Sequence, residues 1–184
     1  MVSGPLWRAA RRRPWWYCSL GDCRFDVPAP KGTCYLGTDE LVAVMESMGP
    51  EVSQGVIASE LLDELRLYMW TPRRPLRLAN LVSRRAWGRG VTNELSTMTP
   101  YDIPQQWARA FSKIADGVLY RSRFDPGEPA RAVAHFGPTG EPRRRVTTGV
   151  MIGRELRQRL EDECDITIAA VPRQGELYIV TDPN

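Results

Sequence analysis

Histidine and lysine are the scarcest chemically active side chains in this 184-residue sequence. His135 is its one histidine, and its 25 basic residues include only two lysines, Lys31 and Lys113, the rest being arginine. A Ser-His-Asp or Cys-His catalyst would therefore have to use His135. That residue lies within the apolar segment 132–136, which is typical of a strand, and we expect it to be structural. Arg, Glu, Tyr and Ser remain as the residues on which any chemistry would depend.

Several familiar sequence signatures are absent. No segment has the G-x-G-x-x-G or G-x-x-x-x-G-K-[ST] spacing of nucleotide-phosphate loops, and no G-x-S-x-G nucleophile elbow occurs. No apolar run approaches the roughly 20 residues that cross a bilayer. The basic residues near the N-terminus are followed by Pro14, Trp15 and Trp16 rather than by the apolar core of a signal peptide. We therefore expect a cytoplasmic protein that has no membrane partner.

The four cysteines do not form a metal-binding pattern. Cys18 and Cys23 are separated by four residues, Cys34 follows eleven residues after Cys23, and Cys164 is isolated. A zinc site normally needs two close pairs, or one pair with histidines, and this sequence offers neither. We expect no metal and, in the cytoplasm, reduced thiols.

The charge is nearly balanced, with 25 basic and 22 acidic residues and a net charge of +3. This balance argues against a protein that coats nucleic acid, and we expect no direct nucleic-acid partner. The dominant cation is arginine, whose planar guanidinium can bind a phosphate or a carboxylate through two hydrogen bonds at once.

The local patterns predict an α+β fold. Residues 1–30 combine aromatic side chains with glycine and proline, which favours short strands and loops. A strand at 33–36 is followed by a helix that Thr38 caps and Gly49-Pro50 ends. Further helices are predicted at 59–67, 81–87, 103–115 and 154–163. Further strands are predicted at 75–80, 117–120, 132–136, 166–171 and 177–180. These elements alternate without regular βαβ spacing, which favours an α+β fold over a doubly wound sheet.

The helix predicted at 103–115 has a stripe of apolar side chains at helical spacing. Ile103, Trp107, Phe111 and Ile114 share this face, which we expect to pack against the rest of the protein. The tryptophans Trp15, Trp16 and Trp107 are more typical of a core or an interface than of ligand contacts.

An ordered set of short motifs runs from residue 5 to residue 137. Glu46 lies eleven residues after Tyr35, which is part of a predicted strand. The motifs are, in order, Leu6-Trp7-Arg8, Cys23-Arg24-Phe25-Asp26, Gly32-Thr33-Cys34-Tyr35-Leu36-Gly37, Ala43-Val44-Met45-Glu46, Gln105-Gln106-Trp107-Ala108, Asp116 to Arg123, and Ala132 to Gly137. This order resembles the RES-domain family, which is named for an Arg, a Glu and a Ser. Cys23 departs from the family pattern, which has glycine before the second arginine.

The resemblance implies one ADP-ribosyltransferase-like domain over residues 1–184, with mixed small sheets flanked by helices. It implies a bacterial toxin that is made beside an antitoxin with a helix-turn-helix DNA-binding part. Its activity would be NAD consumption, either by hydrolysis or phosphorolysis of the nicotinamide–ribose bond or by transfer of ADP-ribose to a protein. A catalytically weak interaction module with the same fold is a third alternative.

The resemblance also assigns site residues. The family frame matches Arg8, Arg24, Tyr35 and Glu46, with Ser122 as the candidate for the family serine. Ser96, Thr97 and Thr99 are other hydroxyls that could fill this role. Glu46, Tyr35, Arg24 and Ser122 would then be catalytic, and Arg8, Arg24 and Tyr35 would bind NAD.

These residue types suit that chemistry. Loss of nicotinamide builds positive charge on the ribose, as in glycoside cleavage, and the Glu46 carboxylate could stabilise that charge or orient the acceptor. Arg8 and Arg24 could hold the pyrophosphate, and Tyr35 could stack on nicotinamide or bond to the ribose through its hydroxyl. A metal is not required, because nicotinamide is already a cationic leaving group.

Overall fold

The fold comes from a computed structural model that describes residues 2–124, 131–142 and 148–172. Within these ranges the strands are β1 Leu6–Ala10, β2 Lys31–Gly37, β3 Val56–Ala58, β4 Arg66–Trp70, β5 Leu78–Asn80, β6 Gly117–Tyr120, β7 Ala132–Pro138, β8 Val150–Met151 and β9 Thr167–Ala169. The α-helices are α1 Glu40–Ser47, α2 Gly49–Val52, α3 Ser59–Glu64, α4 Arg84–Trp87, α5 Asp102–Phe111 and α6 Arg154–Cys164, and a 3₁₀ helix covers Asn93–Ser96.

Seven strands form one mixed sheet in the order β5-β6-β7-β2-β1-β4-β8. The pair β5 and β6 is parallel, and the other neighbours in this sheet are antiparallel. A separate parallel pair joins β3 to β9. The predicted α+β class with helices flanking a mixed sheet is confirmed, and most of the strands join one large sheet.

The sheet is centred on β2 and β7, which pair along their full lengths from Lys31↔Pro138 to Gly37↔Ala132. The chain turns directly from β2 into α1, which packs against β1 and β2. Gly37 makes this close return possible, because a Cβ there would lie 2.6 Å from the backbone oxygen of Asp39. This close approach fixes the position of α1 relative to β2.

Three clusters of buried side chains form the core. One lies under α1, α3 and α6 and includes Val44, Leu62 and Leu160. A second contains Phe25, Val42 and Tyr120, and a third is built around Trp15, Tyr17 and Leu36. His135 is buried in β7, where its Nδ1 lies 2.8 Å from the Tyr17 hydroxyl, as the expected structural role requires.

The predicted cap of α1 is wrong, whereas its predicted end is confirmed. The cap is Asp39, whose Oδ1 accepts from the backbone N–H groups of Leu41 and Val42. The Thr38 hydroxyl instead bonds to the backbone of Arg131, which ties the start of α1 to the start of β7. Helix α1 ends at Ser47, just before Gly49-Pro50, and a separate short helix, α2, begins at Gly49, where proline near a helix start loses no hydrogen bond.

The predicted helix at 59–67 is also too long. It ends at Glu64, and residues from Arg66 onwards form β4, which pairs with β1 along its whole length. The helix predicted at 81–87 is restricted to the short α4. The strand predicted at 177–180 lies outside the described residues.

The apolar stripe predicted at 103–115 packs inward in part, because Phe111 lies against the second core cluster. Ile103 is 52% exposed and Ile114, beyond the end of the helix, is 70% exposed. The helix turns Pro104 and Ala108 toward β6, because these small side chains let it approach the sheet closely. Trp107 remains at the surface with its ring beside that of Phe111.

Candidate active site

A cavity of about 410 Å³ opens beside β1, β2 and α1. Its lining includes Arg8, Arg24, Tyr35, Glu46, Ser96 and Arg123. The first four are the residues that the sequence singled out, and the structure brings them to one cavity although they are spread over residues 8–46. Four elements supply them: β1 carries Arg8, the turn before β2 carries Arg24, β2 carries Tyr35 and α1 carries Glu46.

Glu46 is a carboxylate in a largely apolar environment. The Tyr120 hydroxyl donates to its Oε2 at 2.9 Å, and the Ser122 side chain forms a second hydrogen bond with it. Burial raises the pKa of Glu46, and these bonds together with the charges of Arg24 and Arg123 oppose that rise. The carboxylate is therefore fixed in direction and more basic than an exposed glutamate.

Arg8 has unused hydrogen-bonding capacity. One terminal nitrogen donates to the backbone oxygen of Tyr35 at 2.7 Å. Its Nε is buried and has no hydrogen-bond partner among the described residues. A buried donor without a partner is costly. Arg8 also lines the cavity, so its guanidinium adds positive charge there.

Arg24 is 8% exposed. Its guanidinium donates to the backbone oxygen of Met98 and lies over the Tyr101 ring, 4.9 Å from the ring centre. Burial lowers the pKa of Arg24, while the nearby Tyr101, Tyr120 and Glu46 oppose that shift. The side chain is thus a fixed cation on the cavity wall.

Tyr35 does not have a free hydroxyl. Its oxygen accepts from the backbone N–H of Phe25 at 2.9 Å and donates to Oδ1 of Asp26 at 3.0 Å. Burial raises the pKa of Tyr35 well above its usual range, and the Asp26 charge adds to the effect. Of the two roles expected for Tyr35, stacking through the ring remains open, whereas a bond from the hydroxyl to a ligand would have to break this arrangement.

The serine candidates occupy different positions. Ser122 is buried behind Glu46, where its oxygen accepts from the backbone N–H of Phe124 at 3.0 Å while the side chain also bonds Glu46. Ser96 lines the cavity and is buried. Ser122 therefore contacts the candidate carboxylate, and Ser96 is the hydroxyl nearer to a ligand.

Sequence reasoning did not single out several other groups at this cavity. Tyr120 and Arg123 are within the motif that contains Ser122, yet only the structure shows that they lie beside Glu46. Tyr101 comes from a proline-rich segment with no informative pattern. Asp26, which does not line the cavity but bonds the Tyr35 hydroxyl, was quoted only as the residue that follows Arg24-Phe25. Their roles depend on contacts between distant segments.

The cavity combines three guanidinium groups with one half-buried carboxylate. Such a set can bind an anionic ligand and stabilise positive charge that develops close to the carboxylate. In the described parts of the chain, no group of three or more His, Cys, Asp or Glu is arranged to hold a metal ion. None of the helices in these ranges has the length and apolar character that a bilayer-spanning helix requires.

Comparisons with known proteins agree with this fold. The crystal structure of the M. tuberculosis MbcT–MbcA toxin–antitoxin complex contains a similar chain, with a TM-score of 0.63 and 16% identity over 86% of this chain and 89% of that one. No match was found among curated proteins. The family model described as the RES domain matches residues 5–153. This match spans most of the sequence, and the chain belongs to the RES domain family.

Proposed function

We propose that this protein is the toxin of a bacterial toxin–antitoxin pair and that it acts in the cytoplasm by breaking the nicotinamide–ribose bond of NAD. The observation that carries the proposal is the half-buried carboxylate of Glu46 in the same cavity as Arg8 and Arg24. Family membership supports the proposal, because it comes from a match that spans both arginines and the glutamate.

Glu46 serves the step in which the bond breaks. The electron pair of the bond between the ribose C1′ and the nicotinamide nitrogen leaves with nicotinamide, which departs neutral. Positive charge then develops on the ribose, and a fixed carboxylate stabilises it. A water or phosphate oxygen bonds to C1′, and a water that attacks gives up a proton. The raised pKa of Glu46 suits the carboxylate to accept that proton.

The arginines serve binding. The pyrophosphate of NAD carries two negative charges, and the guanidinium of Arg8, which lines the cavity, is a cation suited to bind it. Arg24 is already fixed by Met98 and Tyr101, so it can contact the ligand with little loss of side-chain entropy. The Tyr35 ring is proposed as a stacking surface rather than as a hydrogen-bond donor.

A toxin of this kind needs a partner that restrains it. The similar solved structure is described as a toxin–antitoxin complex, and we propose a cognate antitoxin with a helix-turn-helix DNA-binding part for this chain as well. A carboxylate or a C-terminus presented by that partner would fit the guanidinium groups of Arg8 and Arg24 and compete with the pyrophosphate.

An assay of the purified chain tests the proposed reaction. NAD labelled in its ADP-ribose part is incubated with the protein, with and without inorganic phosphate, and free nicotinamide and protein-bound label are measured. We expect nicotinamide release without labelled protein, and a dependence on phosphate identifies the acceptor. Label on protein would instead establish an ADP-ribosyltransferase, and absence of both products would indicate an interaction module.

A further inference from the structure

The turn that carries Arg24 is held to β2 by two side chains of that strand. Thr33 and Tyr35 are two residues apart, so their side chains lie on one face of the strand. The Thr33 hydroxyl donates to the backbone oxygen of Phe25 at 2.8 Å, and the Tyr35 hydroxyl accepts from the Phe25 N–H at 2.9 Å. Both polar backbone groups of Phe25 are therefore fixed by the neighbouring strand.

Asp26 closes this arrangement from the other side. It is 2% exposed, and its two carboxylate oxygens have different partners. Oδ1 accepts from the Tyr35 hydroxyl at 3.0 Å, and Oδ2 accepts from the backbone N–H of Cys23 at 3.1 Å. The carboxylate thereby links the strand to the residue directly before Arg24.

Arg24 thus lies between Cys23 and Phe25. The backbone N–H of Cys23 is fixed by Asp26, and that of Phe25 is fixed by Tyr35. Gln105 of α5 supports the same turn, since its Nε2 donates to the backbone oxygens of Gly21 at 2.7 Å and Cys23 at 3.1 Å. The guanidinium itself leaves this anchored backbone for the cavity. Its placement there depends on these backbone bonds as well as on its own contacts with Met98 and Tyr101.

We propose that Asp26, acting through the Tyr35 hydroxyl and the Cys23 N–H, is the positioning residue for Arg24. The inference rests on the proposed function for its consequence in catalysis, although the geometry it describes is independent of any ligand. Asp26 does not contact the substrate. The Tyr35 hydroxyl belongs to this support, while the Tyr35 ring faces the cavity.

Asp26→Asn tests the proposal most selectively. The amide retains one acceptor oxygen and replaces the other with a donor, so one of the bonds to Tyr35 and to Cys23 must be lost or must reverse its direction. We expect kcat/KM for nicotinamide release to fall about tenfold through a misplaced Arg24. In the Arg24→Ala background the same substitution is expected to have no further effect, because the group that Asp26 positions is gone.

Asp116→Asn is the matched control. Its carboxylate accepts from the backbone N–H of Arg77 at 2.8 Å and pairs with Arg74, and it does not line the cavity. We expect this variant to lose stability while keeping its kcat/KM.

Tyr35→Phe, which removes only the hydroxyl, is the second variant and is expected to lower kcat/KM in the same way as Asp26→Asn. It serves in place of Asp26→Asn if that protein does not fold.

A readout without ligand separates this inference from the proposed function. In the free protein, the ¹⁵N resonance of the Arg24 Nε, assigned by its loss in Arg24→Ala, is expected to shift or broaden in Asp26→Asn and in Tyr35→Phe but not in Asp116→Asn. An unchanged resonance in both of the first two variants would overturn the proposal. An equal loss of kcat/KM with and without Arg24 would also overturn it. A wild-type chain that releases no nicotinamide would contradict the proposed function alone.

Discussion

At the scale of single residues, Glu46 illustrates a conflict between charge and burial. The side chain has lost much of its contact with water, and burial is the largest cause of its raised pKa. Hydrogen bonds from Tyr120 and Ser122 recover part of the lost solvation. The ionised carboxylate therefore lowers the stability of the fold, which is common for groups that are placed for function.

This conflict predicts how stability depends on pH. The folded protein holds the Glu46 proton to a higher pH than the unfolded chain does, so stability falls as pH rises between these two pKa values. Glu46→Gln should therefore raise the free energy of unfolding at pH 7. The gain should shrink as pH falls from the raised pKa of the folded state to the unfolded-state pKa of about 4.3, and it should be lost below that value. Urea unfolding across pH measures it, and a gain that stays constant down to pH 3 would contradict this origin.

At the scale of secondary-structure elements, α1 matters because it carries Glu46 to the cavity. Its start is fixed by Asp39, whose Oδ1 lies 2.7 Å from the Leu41 N and 3.3 Å from the Val42 N. Arg159 of α6 also reaches Asp39 at 3.4 Å. One side chain therefore caps the helix and ties it to a second helix.

Removal of this cap should destabilise the protein measurably. Asp39→Ala is expected to lower the free energy of unfolding by about 1 kcal/mol, since the two N–H groups lose their acceptor. Asp39→Ser retains a capping oxygen and should recover most of that loss. Chemical denaturation of the three proteins makes the comparison. Equal stability of the Ala and Ser variants would show that the cap contributes nothing.

Some elements could be predicted from the sequence, and others could not. The strands β6 and β7 and the helix α6 were predicted because each is an uninterrupted pattern bounded by turn residues. The strand β4 was missed because no glycine or proline separates it from α3, and Leu65 and Leu67 extend an apolar pattern that already began in the helix. The segment 66–70 is a strand because it pairs with β1, which is distant in sequence.

Some residues of the candidate site could also be predicted from the sequence, and others could not. Arg8, Arg24, Tyr35 and Glu46 were found through the resemblance to a family rather than through periodicity or spacing. Asp26 and Tyr120 support them by hydrogen bonds between segments that are far apart in sequence, which no local pattern encodes. For Ser122, the sequence predicted a catalytic hydroxyl but not its hydrogen bond to Glu46, because Glu46 is on another element.

At the scale of the whole molecule, the order of the strands assembles the cavity. Strands β1 and β2 are neighbours in the sheet, and α1 packs against both, so Arg8, Tyr35 and Glu46 approach one another. The family match covers residues 5–153, and α6 follows it and contributes Leu156 and Leu160 to the core under α1. A single domain over residues 1–184 stays a prediction, since its last twelve residues lie outside the described ranges.

The central claim is that Glu46 stabilises the charge that develops when nicotinamide leaves NAD. The most direct test compares nicotinamide release by the wild-type protein, Glu46→Gln and Glu40→Gln, which changes a carboxylate of the same helix outside the cavity. Glu46→Gln should lower kcat by about 10²-fold while the protein stays folded. Glu40→Gln should retain the wild-type rate. Full activity in Glu46→Gln would contradict the account, because a neutral amide cannot supply the stabilising charge.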